Sequence, residues 1–141
     1  MFMIRPVQEK DAAALAELMT QLGYPTVERQ MTERIRLILN DTNLATFVAV
    51  ESGIVCGMVG ISTAPSYAHD ELTGRILALV VSDHARGRGV GRKLVAKAED
   101  YLRAKGVARL IVTTRFERKE AHRFYAMLGF AANGFRFKKR I

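Results

Sequence analysis

The 141-residue chain is poor in the residues that build disulfides and metal sites: Cys56 is its one cysteine, and its three histidines are scattered. One thiol cannot make an internal disulfide framework, and no spacing of His and Cys forms a metal-ligand set, so no metal is expected. No apolar run reaches the roughly 18 residues that a membrane span needs. The opening Met1-Phe2-Met3-Ile4 gives way at once to Arg5-Pro6, far short of the apolar stretch of a secretory leader. Internal repeats and low-complexity tracts are missing too. These absences lead to the expectation of a cytoplasmic protein with no membrane partner.

What is present is the composition of a globular protein, 49% apolar and 26% charged. The length suits one domain with one sizeable core, expected to span residues 1–141. The formal net charge of +8 favours anionic partners, with nucleic acid, membrane surface and phosphorylated cofactor all open on charge alone. Arg86, Arg88, Arg92 and Lys93 crowd around three glycines, and Phe137-Lys138-Lys139-Arg140 stands near the end.

Residues 2–6 read as an edge strand. Leu15, Leu18, Met19 and Leu22 then recur at helical spacing up to Gly23, with Asp11 as the expected cap. Val27, Met31, Ile35 and Ile38 predict a second helix, with Thr26 at the N-cap and an end near Asn40. Residues 47–50 and 54–59 flank Glu51-Ser52-Gly53 and predict a hairpin. Gly57 and Gly60 weaken its second strand unless a bulge or a close backbone approach requires them. Residues 75–81 are almost wholly apolar, as in a central strand covered on both faces.

Val90, Leu94, Ala98 and Leu102 form the stripe of a helix closed by Gly106, and residues 109–113 return as a strand. That βαβ unit predicts a parallel pair. A last helix carries Ala121, Phe124, Tyr125 and Leu128 and stops at Gly129. Phe130 to Ile141 reads as a final strand, with apolar and basic residues alternating in Phe135-Arg136-Phe137-Lys138-Lys139-Arg140. The expected class is α/β of the α+β type, with a mixed, mostly antiparallel central sheet, one parallel βαβ unit and flanking helices.

The richest segment runs from Leu79 to Arg92. Glycines on alternate residues between a strand and a helix allow a tight turn that brings backbone N–H groups against a bulky anion. The helix start adds free N–H groups and the positive end of its dipole. Arg86, Arg88 and Arg92 add charged donors suited to phosphate. A dinucleotide fingerprint fails because Arg92 stands where its third glycine belongs, and a P-loop fails because Gly91 precedes Arg92-Lys93-Leu94.

Arg86-Gly87-Arg88-Gly89-Val90-Gly91 after Leu79-Val80-Val81 resembles the cofactor motif of the GNAT family of N-acetyltransferases, Gln/Arg-x-x-Gly-x-Gly/Ala after a Leu-x-Val strand. The resemblance implies that acetyl-coenzyme A is the cosubstrate. Backbone of residues 86–91, with Arg92 beside it, would hold the pyrophosphate, and Leu79, Val80 and Val81 would meet the pantetheine and the acetyl carbonyl. Some thirty residues on, Ala121-His122-Arg123-Phe124-Tyr125-Ala126-Met127-Leu128-Gly129-Phe130 is similar to the family's closing motif, Ala-x-x-Phe-Tyr-x-x-x-Gly-Phe. It implies that Tyr125 is the general acid for the departing thiolate. Arg118 stands where many members carry a cofactor-binding Asn, so it reaches a phosphate or faces solvent.

In the family the acceptor amine attacks the thioester directly in a ternary complex. A lysine-like amine, with a pKa of about 10.4, needs about 4.6 kcal/mol to lose its proton at pH 7. His69, Asp70 and Glu71 precede the central strand as base candidates, none with a motif behind it. The acceptor, a small molecule or a peptide amine, is not legible, and a homodimer stays open. Two rivals are weaker: a non-catalytic acetyl-coenzyme A sensor, against which the presence of Tyr125 argues, and a basic nucleic-acid-binding protein, suggested by the charge and the aromatic-basic tail, which a final half-buried strand explains more simply, so no nucleic-acid partner is expected.

Overall fold

The computed structural model describes residues 1–141. They form two compact units, residues 1–111 and 112–141. In the first, β1 (Met3–Pro6), α1 (Ala12–Leu22), α2 (Glu28–Leu39), β2 (Leu44–Glu51), β3 (Ile54–Ala64), β4 (Leu72–Val81) and α3 (Val90–Ala104) are followed by β5 (Val107–Val112) at the boundary. The sheet runs β1-β2-β3-β4-β5. Its first three pairings are antiparallel and the last is the parallel pair.

Strand alternation sorts this sheet into two faces. Val48, Met58 and Val80 form one buried cluster with Leu15, Leu18, Met31 and Ile35 of α1 and α2. The opposite face takes α3, where Val90, Leu94, Val95, Ala98 and Leu102 are buried at helical spacing. Full burial of one such leucine or valine contributes about 1.5–3 kcal/mol. Gly57 explains the close contact of α3: a Cβ there would stand 3.2 Å from each of Leu94 Cδ1, Val90 Cγ1 and Val80 O. Ser52 and Gly53, at φ +51° and +78°, make the two-residue hairpin turn between β2 and β3.

Four local expectations need correction. Asp11 stands at the N-cap position of α1 but its side chain makes no capping bond; its carboxylate accepts from Arg5 Nη1 and Nη2 at 2.8 and 2.9 Å and from Gln8 N–H at 2.8 Å. A carboxylate that can hold a guanidinium fork is better satisfied there than on one helix N–H. Val27, not Thr26, is the N-cap of α2, where the Val27 N–H donates to Gln30 Oε1 at 3.0 Å. Thr26 Oγ1 is turned instead to Tyr24 O at 2.7 Å.

Strand β4 is interior to the sheet and packs against α1 on one face and α3 on the other, but the cover is incomplete, since its extra residue Leu77 is 59% exposed. Finally, residues 130–141 form no strand, and Phe135 and Phe137 are 75% and 92% exposed. Period-two alternation specifies a strand only where backbone pairing and an apolar surface receive it, and this segment has neither. The second unit holds α4 (Lys119–Met127), closed by Gly129 at φ +95°.

Candidate active site

Strand β4 ends in a turn fastened to its neighbours by backbone. Ser82 is buried, and its N–H donates to Cys56 O at 2.8 Å. Residues 83–85 make one 3-10 turn, and the Asp83 N–H donates to Gln21 Oε1 of α1 at 3.0 Å. Gly87 and Gly89 follow with φ of +78° and +80°, a region that a side chain makes costly. Gly89 is the N-cap of α3 and supplies no side chain to its first turn. The Lys93 N–H donates to Gly89 O at 3.1 Å, leaving the preceding N–H groups of the helix start for an outside acceptor.

The three arginines of this turn differ in what they hold. Arg86 donates from Nε to Val81 O at 3.2 Å and pairs with Asp83 at 3.1 Å. Arg88 donates from both terminal nitrogens to the two oxygens of Glu51, at 3.0 and 2.9 Å. That guanidinium holds the Glu51 carboxyl below its ordinary range. The exposed Arg92, third residue of α3, is bonded to no carboxylate.

On β4 itself, Val81 pairs with Gly57, Val80 with Met58, Leu79 with Val59 and Ala78 with Gly60. Ile61 then pairs with Ile76, so Leu77 is an extra residue on β4. Such a bulge bends the strand and takes its extra residue out of the ladder. Val80 is buried, whereas Leu79 and Val81 are half-buried, leaving part of this strand end accessible.

In the second unit, Tyr125 is half-buried, edge-on to Phe124 and Phe130 at ring separations of 5.2 and 5.4 Å. Burial pushes its hydroxyl pKa above 10, and the Arg118 guanidinium offsets this only in part. Tyr125 is therefore protonated at neutral pH, as a proton donor must be. Arg118 stands exposed at the N-cap of α4. His122 Nε2 lies 2.7 Å from Arg115 O, an attachment within the helix's own approach loop.

The Acetyltransferase (GNAT) family matches residues 12–130. The chain is a GNAT-family acetyltransferase. A curated relative, the aminoalkylphosphonate N-acetyltransferase of Salmonella typhimurium, is 34% identical over 103 residues, covering 73% of this chain and 67% of the relative. Among solved structures, a transcriptional regulator from Bacillus halodurans C-125 superposes with a TM-score of 0.91 at 23% identity, covering 100% of both chains. An aminoglycoside N-acetyltransferase in complex with coenzyme A superposes at 0.88 and 22% identity, covering 100% of this chain and 95% of the other. At those identities the two structures speak for the fold alone.

Some residues that hold this turn have no sequence motif. Glu51, at the end of β2, takes up Arg88, and Gln21, at the end of α1, holds the start of the turn. Both depend on contacts across 37 and 62 residues of chain, and no local pattern encodes those. Among the base candidates, Glu71 faces Arg109 at 4.0 Å, and the His69 backbone N–H donates to Ser66 Oγ. Neither contact prepares a proton acceptor. No helix is long and apolar enough to cross a membrane.

Proposed function

We propose that the protein transfers the acetyl group of acetyl-coenzyme A to a primary amine by direct attack in a ternary complex. The observation that carries this reading is the turn at residues 86–91, where two left-handed glycines lead into an uncapped helix start. Its N–H groups hold the pyrophosphate, and Arg92 adds a charge. Leu79, Val80 and Val81 receive the pantetheine and the acetyl carbonyl, an arrangement supported by their motif and by the accessible strand end.

In the reaction the amine's lone pair forms the N–C bond as the C–S bond breaks. Tyr125 gives its proton to the leaving sulfur and regains one, through water, from the acylated nitrogen. Its protonated hydroxyl supports this role, and so does its place in the closing motif. Arg118 sets the field at Tyr125, a reading supported by its effect on that hydroxyl. We further read residues 1–141 as one N-acetyltransferase domain, since the family match runs from 12 to 130. A cytoplasmic location fits the single, buried, free thiol of Cys56.

Calorimetry with acetyl-coenzyme A should show one site per chain, and Gly89→Val should abolish it while circular dichroism stays unchanged. Unaltered affinity in that variant would place the cosubstrate elsewhere.

A second reading is favoured by one observation, the exposure of Phe135 and Phe137 among Arg136, Lys138, Lys139 and Arg140. Aromatic-basic segments of this kind suit single-stranded nucleic acid. Affinity for random DNA that is weak and falls steeply with salt assigns the charge to the cosubstrate; tight binding to one sequence at physiological salt assigns it to nucleic acid.

A further inference from the structure

Between α1, α2 and the inner face of the sheet lies a cavity of about 180 Å³. Leu15, Met19, Met31, Ile35 and Met58 supply its walls, and the bulged Leu77 with Ala78 borders it on β4. It opens to solvent where Leu77 and Arg34 are exposed. Ala78 directly precedes the strand end to which we assign the acetyl carbonyl.

Gly60 is the second observation. Its backbone is not left-handed, and a Cβ placed on it meets nothing nearer than Thr46 Oγ1 at 3.8 Å. Gly57 is small because α3 presses on it; Gly60 has no such neighbour. A glycine inside a strand weakens it, and a site where a ligand approaches is one of the few reasons to keep one. Gly60 stands opposite Ala78, so two minimal side chains face each other on the floor of the cavity.

The geometry points to this cavity as the acceptor site, and to a monoamine with a compact apolar substituent as the acceptor. The inference rests on the acetyl-transfer reading and names the substrate class for it. Apolar cavities of about 150 Å³ take guests the size of benzene, so the substituent is a branched chain or a single ring. The lining contains no Asp or Glu, and its one charged side chain is Arg34. A polyamine or an aminoglycoside would bring further ammonium groups to a surface that cannot pair them, against the repulsion of Arg34. An apolar surround also lowers the pKa of the reacting amine. The neutral nucleophile is thereby favoured without a dedicated base, consistent with the lack of a prepared one near His69 and Glu71. The amine nitrogen bonds to the acetyl carbon, coenzyme A leaves as the thiol, and the nitrogen's surplus proton passes to water.

The test is steady-state acetylation of phenethylamine, isoamylamine and spermidine by the full chain, beside calorimetry of acetyl-coenzyme A. We expect kcat/KM for the two apolar amines to exceed that for spermidine by about tenfold or more. Gly60→Val fills the floor and should lower kcat/KM for phenethylamine by about tenfold or more, with acetyl-coenzyme A affinity within about twofold. If that variant does not fold, Gly60→Ala, whose methyl meets only ordinary contact, should lower phenethylamine more than isoamylamine. Preference for spermidine, or indifference of phenethylamine to a folded Gly60 variant, overturns the acceptor assignment. Loss of acetyl-coenzyme A binding in the wild-type protein overturns instead the acetyl-transfer reading beneath it.

Discussion

Arg88 lays both ends of its guanidinium on the carboxylate of Glu51, which joins the glycine turn to the far end of the β2–β3 hairpin. The pair is partly exposed, so solvent screening leaves it little weight in stability. Its larger effect is on charge, because Glu51 cancels a cation at the proposed pyrophosphate site. Glu51→Gln should therefore tighten acetyl-coenzyme A binding about two- to fivefold at low ionic strength, a gain that fades as salt screens it. Weaker binding, with a higher dissociation constant at every salt concentration, would show that the pair matters for holding the turn's shape instead.

Tyr125→Phe keeps the edge-on contacts to Phe124 and Phe130 and removes only the hydroxyl. The turnover number should fall by about 10²–10⁴, equivalent to about 2.7–5.4 kcal/mol of barrier. Acetyl-coenzyme A affinity should barely move. Since burial raises this hydroxyl, wild-type turnover should decline on the alkaline side only above about pH 10, and the variant should lose that limb. Wild-type turnover in the variant would assign the proton to water.

Asp11 is buried and held by Arg5 and the Gln8 N–H, and the guanidinium bond is the main reason its pKa lies below the ordinary 3.8. A lowered carboxyl pKa means stability that is fully present above the unfolded value and lost as pH falls through the folded one. Asp11→Asn should cost about 1.5–3 kcal/mol at pH 7 by urea unfolding. The difference from wild type should begin to shrink near pH 4, as the unfolded chain's carboxyl takes up a proton, and go on shrinking as pH falls through the lower folded value. A gap that stays constant down to pH 2 would mean that charge contributes nothing there.

Gly57→Ala pushes a methyl to 3.2 Å from Val80 O, a backbone atom tied into the β3–β4 ladder. The expected loss is about 1–3 kcal/mol of unfolding free energy. Val90, the first residue of α3, is met at the same 3.2 Å, so acetyl-coenzyme A affinity should fall with stability. Gly60→Ala, by contrast, should leave stability within about 0.5 kcal/mol, because its methyl meets only an ordinary contact, Thr46 Oγ1 at 3.8 Å.

The glycine turn, the Phe124-Tyr125 pair and all four long helices were legible because each is a local pattern: a dipole and turn chemistry, a motif, a period of 3.6. Gly57 could be flagged from sequence but not explained until α3 was seen against it. The tail misled for a related reason. Phe135, Phe137 and their basic neighbours alternate as a strand does, yet alternation carries no information on whether a partner is there. Glu51, Gln21 and the cavity were invisible because each arises from distant segments meeting, and the acceptor preference lives wholly in that meeting.

The extra residue at Leu77 makes the bend of β4 separable from everything else in the sheet. Pairs on either side of it, Gly60 with Ala78 and Ile61 with Ile76, already keep matching faces. Removing Leu77 would straighten the strand and leave each remaining side chain on its present side, whereas removing a residue away from the bulge, such as Leu79, would invert a run of them. A one-codon deletion thus erases the curvature and spares the register, and sequences that lost or gained this bend could have done so in a single step.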